Sequence, residues 1–263
     1  MKVYDKYKLT DPMKRKAAQR EITVLKRLKH PCVIGLHDLI DTPKQIYLIT
    51  DYVKGISLQQ YVKQLPNRMV RETTARRIFK QVVEGVCYLH SQHIVHRDIK
   101  LDNILVEESS RMVKLIDFGF SVVISGGQRL KVFCGTPSYM APEIVRKHDY
   151  DGKPVDVWAL GVLLFVMLTG TFPFKGVSEQ DLYSKIQRGH YRHNHDALPR
   201  DARRIIAKML EVDYKKRITA AELLKEPYIS CDDVRLTAFE MAGQLARSHS
   251  HSMDVYKGVS SSA

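Results

Sequence analysis

The stretch His96-Arg97-Asp98-Ile99-Lys100-Leu101-Asp102-Asn103 concentrates reactive side chains between two apolar runs. Asp98 is followed two residues later by Lys100 and five residues later by Asn103. A carboxylate in such a loop can orient a hydroxyl and accept its proton. The lysine can neutralise charge on a transferring phosphoryl group, and the asparagine oxygen can ligate a hard cation such as Mg²⁺. Taken alone, the same pattern also fits a solvated loop. Fourteen residues past Asn103 stands Asp117-Phe118-Gly119, directly after the apolar run Val113–Ile116. A carboxylate at a strand end can hold a metal, and a glycine beyond it lets the backbone turn. Ala141-Pro142-Glu143 closes this segment.

These residues need a scaffold, and hydrophobic periodicity supplies its outline. Residues 1–10 suit a strand end. Asp11-Pro12 then starts a helix carrying Ala17, Ile22, Leu25 and Leu28 up to His30-Pro31. Val33–Ile40 and Gln45–Thr50, separated by Asp41-Thr42-Pro43, predict a β-hairpin. Helices are expected at Leu58–Gln64, Arg71–His90, and near 154–170, 178–188, 199–210 and 219–225. Short strands and functional loops fill His93–Phe118. Residues 121–140 lack periodicity and are expected to be a mobile loop. Ser248–His251 and Val259–Ala263 are low in complexity and expected to be disordered, with a helix before them at Val234–Arg247. A strand-rich front and helix-rich back predict a two-lobed α+β protein. The expected divisions are 1–53, a small strand-rich lobe; 54–230, a large helix-rich lobe carrying both reactive loops; and 231–263, a tail.

The chain's 263 residues suffice for real cores. The longest apolar run, Val157–Leu168, falls short of the roughly 20 residues of a bilayer span and predicts a buried helix. Cys32, Cys87, Cys134 and Cys231 form no C-x-x-C pair, which fits a reducing compartment, the cytoplasm or the nucleus, without zinc or disulfides. The net charge of +13 raises the reading of a nucleic-acid binder. Its basic residues are spread over amphipathic helices without any reading motif, so a basic solvated surface is expected instead.

Taken in order, the three motifs resemble those of eukaryotic serine/threonine protein kinases. Phe133-Cys134-Gly135-Thr136-Pro137 and Leu223–Ile229 point to the calcium/calmodulin-dependent and AMP-activated branch. The resemblance covers about Lys2 to Ile229. It implies a two-lobed kinase-like fold with a helical large lobe, ATP and Mg²⁺ as cofactors, and proteins bearing Ser/Thr as substrates alongside regulatory proteins. Position by position, it makes Asp98 the catalytic base, Lys100 the phosphate-contacting lysine, and Asn103 and Asp117 the Mg²⁺ ligands. Lys2 and Glu21 become the pair that positions the α/β-phosphates. Thr50 becomes the gatekeeper, Asp51 and Val53 the backbone contacts to adenine, and Leu105 a further nucleotide contact. Arg97 resembles the arginine that meets a phosphorylated loop residue, and Asp156 the carboxylate that braces the catalytic loop. Glu143 and Arg217 resemble a buried pair, and Leu25, Leu36, His96 and Phe118 an apolar stack between lobes. Thr136 is expected to bridge Lys100 and Asp98. Lys100 and Gly135-Thr136-Pro137 follow the serine/threonine rather than the tyrosine pattern. Asp102 allows basic substrates, while Ser57 stands where many basophilic relatives have glutamate.

Two departures stand out. No Gly-rich loop precedes Lys2, so the small β-rich lobe is expected to be truncated and this chain to bind ATP weakly with little activity, the fuller protein being active; a non-catalytic scaffold is the rival expectation. Val132 occupies a position where relatives often carry a phosphorylatable threonine. Activation is then expected to use Ser121, Ser125 or Thr136, or no phosphate at all.

Overall fold

A computed structural model describes residues 1–107, 109–125, 127–191 and 198–230. Residues 1–229 form one compact unit. The tail expectations, including the helix at Val234–Arg247, lie outside the described residues.

Strand β1 (Lys2–Asp5) pairs antiparallel with β3 (Gln45–Thr50), which also pairs with β2 (Leu36–Asp41) in the order β1-β3-β2. The hairpin is therefore present but shorter than its apolar run. Val33 and Ile34 leave it to join Leu115 instead, the Ile34 N–H donating to the Leu115 carbonyl at 2.9 Å. Helix α1 (Pro12–Leu25) begins where expected, because the Asp11 carboxylate accepts the Met13 N–H at 2.8 Å and Pro12 opens the first turn. It ends at Leu25, before the expected Lys29, as Arg27 and Leu28 tighten to i→i−3 bonds ahead of Pro31.

A second sheet runs β4 (Gly55–Ser57), β6 (Ile104–Glu107), β7 (Val113–Leu115), in the order β4-β6-β7. Ser57 caps α2 (Leu58–Gln64), with Gln60 closing a capping box. Helix α3 (Glu72–Ser91) buries Ala75, Ile78, Phe79, Val82, Val83, Val86 and Leu89 at helical spacing. The apolar run expected to be a buried helix lies in α5 (Gly152–Thr169), whose residues from Val155 to Leu168 are all buried. That helix is long and apolar enough to cross a bilayer, yet 83% of it lies inside the protein. Gly170 ends it with φ 67°, and a Cβ there would fall 2.5 Å from the Asn67 carbonyl oxygen. Helix α7 (Arg200–Met209) packs against it, α8 (Ala220–Leu223) packs against α3, and α6 (Glu179–Arg188) and α9 (Pro227–Ser230) complete the helical part. Strand-rich front and helical back together give the expected α+β architecture.

The segment 121–140, expected to lack structure, holds several fixed points. Strand β8 (Val122–Val123) pairs with β5 (Ile94–Val95), and Leu130 pairs with Tyr150. A 3₁₀ turn follows at Pro137–Tyr139, then the short helix α4 (Pro142–Val145).

Glu143 on α4 and Arg217 form a bidentate pair at 2.7 and 3.0 Å, fully or nearly fully buried. The guanidinium also donates to the Glu211 and Pro154 carbonyls and lies 5.1 Å from the Trp158 ring. Removing one partner strands the other charge in the interior. Glu143→Ala is therefore expected to cost about 3–5 kcal/mol of unfolding free energy, read by urea denaturation. A loss no greater than that of an exposed pair, about 1 kcal/mol, would show the pair to be dispensable.

Candidate active site

The catalytic-loop residues lie between β5 and β6 and are held from below by α5. Asp156, fully buried on that helix, accepts the His96 N–H at 2.9 Å and the Arg97 N–H at 2.8 Å. His90 meets the same carboxylate at 2.9 Å. The expected bracing is thus present, with a histidine that the motif did not reveal. The brace holds Arg97 in the left-handed region at φ 65°, a conformation that costs a non-glycine residue about 1–3 kcal/mol.

Asp98, Lys100, Asn103 and Thr136 come together in one hydrogen-bonded cluster. The Lys100 ammonium lies 2.8 Å from Asp98 Oδ2 and donates to Thr136 Oγ1 at 3.0 Å. The Thr136 hydroxyl donates in turn to Asp98 Oδ1 at 2.9 Å, the bridge expected from sequence. The Asn103 amide nitrogen donates to both the carbonyl and the Oδ2 of Asp98 at 2.8 Å. This fixes the amide so that its oxygen is the end left for a cation.

Asp117 is brought beside Asn103 because the Ile116 N–H donates to the Asn103 carbonyl at 3.0 Å. The left-handed turn falls on Asp117 itself, φ 61°, rather than on Gly119. Gly119 serves a different need: its N–H donates to Asp117 Oδ1 at 3.3 Å, and a Cβ there would sit 3.3 Å from that oxygen. Burial by itself would raise the Asp117 pKa, but the Lys2 charge and the Gly119 N–H together hold it below the usual carboxylate value. A carboxylate and an amide oxygen suit Mg²⁺, which keeps several waters and needs few protein ligands. Among the described residues no cluster of three or more His, Cys, Asp or Glu side chains could hold a metal by itself.

Lys2 bridges the two parts of the cleft. Its ammonium contacts both Glu21 oxygens, at 2.8 and 2.9 Å, and Asp117 Oδ1 at 3.3 Å. Burial would lower its pKa, but Glu21 outweighs burial and holds the lysine charged. Tyr4, which sequence reasoning passed over, donates its hydroxyl to Glu21 from the same strand face as Lys2. The i, i+2 spacing on β1 was the available signal.

Thr50 ends β3 and Leu105 lies half-buried on β6. Asp51 donates its N–H to the Gly35 carbonyl at 3.0 Å, so its own carbonyl is the backbone group it can offer a ligand. Its carboxylate binds elsewhere, to Lys114 at 2.8 Å, His37 at 2.7 Å and the Gly35 N–H at 2.9 Å. The Val53 carbonyl is taken by the Gly55 N–H at 3.0 Å, which leaves its N–H as the group to offer. His96 and Phe118, both fully buried, pack with ring centroids 5.1 Å apart, and Leu25 and Leu36 belong to the same core.

The family described as protein kinase domain matches residues 1–229. The chain belongs to that family. Its members generally use ATP and Mg²⁺, and the oxygen donors above fit that cation. The kinase domain is 39% identical over 230 residues to the probable serine/threonine-protein kinase MARK-A of Dictyostelium discoideum. It is 38% identical over 231 residues to CBL-interacting protein kinase 25 of Oryza sativa subsp. japonica. Over 213 residues it is 39% identical to the SNF1-related protein kinase catalytic subunit alpha KIN12 of Arabidopsis thaliana. These alignments cover 88%, 86% and 81% of this kinase domain, but only 21%, 45% and 42% of those relatives. They bear out the resemblance to the AMP-activated-kinase-like branch.

Proposed function

We propose that this chain transfers the γ-phosphoryl group of ATP to serine and threonine hydroxyls of protein substrates. The observation that carries this reading is the cluster of Asp98, Lys100, Thr136 and Asn103, closed by hydrogen bonds of 2.8–3.0 Å. Asp98 accepts the proton of the incoming hydroxyl as its oxygen bonds to the γ-phosphorus. The bond from that phosphorus to the bridging oxygen breaks, and ADP leaves. Lys100, tethered by Thr136, offsets the negative charge that spreads over the transferred group. Lys2, held by Glu21, sets the position of the α/β-phosphates, and such positioning supplies much of a phosphoryl-transfer barrier reduction. The Asp51 carbonyl and Val53 N–H would receive the adenine, with Thr50 and Leu105 beside it. Asn103 Oδ1 and Asp117 would hold Mg²⁺, which neutralises phosphate charge when bound.

The cytoplasm or the nucleus is the proposed compartment, in keeping with the free thiols of Cys32, Cys87 and Cys134. Incubating the purified chain with Mg²⁺ and γ-labelled ATP, and with peptides ending in Ser, Thr or Tyr acceptors, tests the proposal. Label on Ser and Thr peptides alone is the expected result. Nucleotide binding without any transfer would favour a non-catalytic scaffold.

A further inference from the structure

Residues 51–54 carry the chain from β3 into β4, and so from one sheet to the other. Asp51 opens that crossing, and its half-buried side chain meets donors from two other segments. The Gly35 N–H donates to Asp51 Oδ2 at 2.9 Å, and the Lys114 ammonium lies 2.8 Å from the same oxygen. His37 meets Oδ1 at 2.7 Å. Gly35 is joined to Asp51 twice, because its carbonyl also accepts the Asp51 N–H at 3.0 Å. The fit is close: a Cβ at Gly35 would fall 3.2 Å from both carboxylate oxygens.

Lys114 ties this arrangement to the strand that delivers Asp117. It stands on β7 between Val113 and Leu115, both fully buried, so the alternation of a strand turns Lys114 to the opposite face. Its ammonium also donates to the Val33 carbonyl at 3.4 Å. Leu115 completes the ring through the backbone, its N–H donating to the Cys32 carbonyl at 2.8 Å. The two side chains that meet Asp51 are not equivalent: that of Lys114 is 26% exposed and that of His37 63%. Solvent screens the outer contact, so the inner, charge-assisted bond from Lys114 carries the hold.

We propose that Lys114 is a positioning residue for nucleotide binding: it clamps the Asp51 carboxylate against Gly35 and thereby holds the Asp51 carbonyl and the Val53 N–H where adenine is received. A crossing segment held in one arrangement leaves the ligand less to order on binding. Affinity falls with whatever fraction of the chains has lost that arrangement. The identity of the ligand rests on the kinase reading; the clamp itself does not.

Amide hydrogen exchange and titration with adenosine test it, on the wild-type chain, Lys114→Met, Lys114→Arg and Asp51→Asn. Adenosine carries no phosphate, so its affinity reports the adenine contacts apart from Lys2, Glu21 and Mg²⁺. Lys114→Met keeps the stem of the side chain and removes its charge. It is expected to speed exchange of the Asp51 and Gly55 amides about ten-fold and to weaken adenosine binding about five- to ten-fold. In the transfer assay the KM for Mg·ATP should rise while kcat stays within about two-fold. Lys114→Arg should recover most of both losses. Asp51→Asn should reproduce them, and the double variant Asp51→Asn with Lys114→Met should be no worse than either alone. Unchanged exchange in Lys114→Met overturns the clamp. Faster exchange with wild-type adenosine affinity overturns its positioning role, as does a fall in kcat with the KM for Mg·ATP unchanged. Should Lys114→Met not fold, Asp51→Asn decides by the same readings. A wild-type chain that binds no adenosine would defeat the kinase reading and the ligand assignment with it, and exchange would still judge the clamp.

Discussion

Asp117→Asn lowers the rate of peptide phosphorylation by about a thousand-fold, because metal stabilisation of transferring charge supplies several kcal/mol and each 1.4 kcal/mol is tenfold. The substitution keeps the shape of the side chain and removes its charge. Lys2 retains Glu21 at 2.8 and 2.9 Å, so the nucleotide-positioning pair survives. Asn103 retains its hydrogen bonds to Asp98, so the base survives too. What is lost is the anionic group proposed to hold Mg²⁺, and higher Mg²⁺ should recover part of the activity. The fold should barely notice, since both Lys2 and Asp117 are close to half exposed and such pairs contribute little to stability. The depressed Asp117 pKa sets the pH behaviour. Its small contribution to stability is complete above the unfolded carboxylate value and fades as pH falls through the lower folded value. A variant that phosphorylates at the wild-type rate would remove Asp117 from the mechanism.

Asp98→Asn is expected to reduce kcat by about 10²–10⁴, the range for losing a positioned general base. Nucleotide affinity should be unchanged, because Lys2, Glu21 and Asp117 lie outside the substituted cluster. The reason is electrostatic as well as chemical. In the wild type every group around Asp98 donates to it: Lys100, the Thr136 hydroxyl and the Asn103 amide. An asparagine brings an NH₂ into that ring of donors: facing Lys100 and Asn103 it sets donor against donor, and facing Thr136 it makes the hydroxyl accept and breaks that hydroxyl's own donation. Single-turnover kinetics beside a direct nucleotide-binding titration separate the two effects. Weakened binding with an intact chemical step would place Asp98 on the wrong side of the reaction.

The parts of this site that could be read from sequence are those whose members are close along the chain. His96 to Asn103 sit within one loop, and local hydrogen bonds such as Asn103 to Asp98 follow almost from the spacing. Asp117 was legible because the apolar run Val113–Ile116 ends immediately before it. Thr136 depended on a motif rather than on periodicity. The rest is written in contacts between distant segments, which local patterns do not encode. Tyr150 looks like any aromatic residue before a helix, and only folding brings its hydroxyl to the Val132 carbonyl. The Asp51 carboxylate could not be separated from its backbone role until Lys114 and His37 were seen against it. Residues 121–140 lack periodicity because their order comes from anchoring points contributed by Tyr150, Tyr214 and β5, not from a repeating apolar face. The Val33–Ile40 run split because Leu115 competes for its first residues.

Asp156 grips two successive amides of the catalytic loop from inside the most extensively buried helix among the described residues. That loop therefore has no private hinge: it cannot swing out while its anchor stays put, and the anchor cannot shift without dismantling the interior. Warming the protein should leave the reactive groups in register until the whole body gives way, so that inactivation and melting trace the same curve.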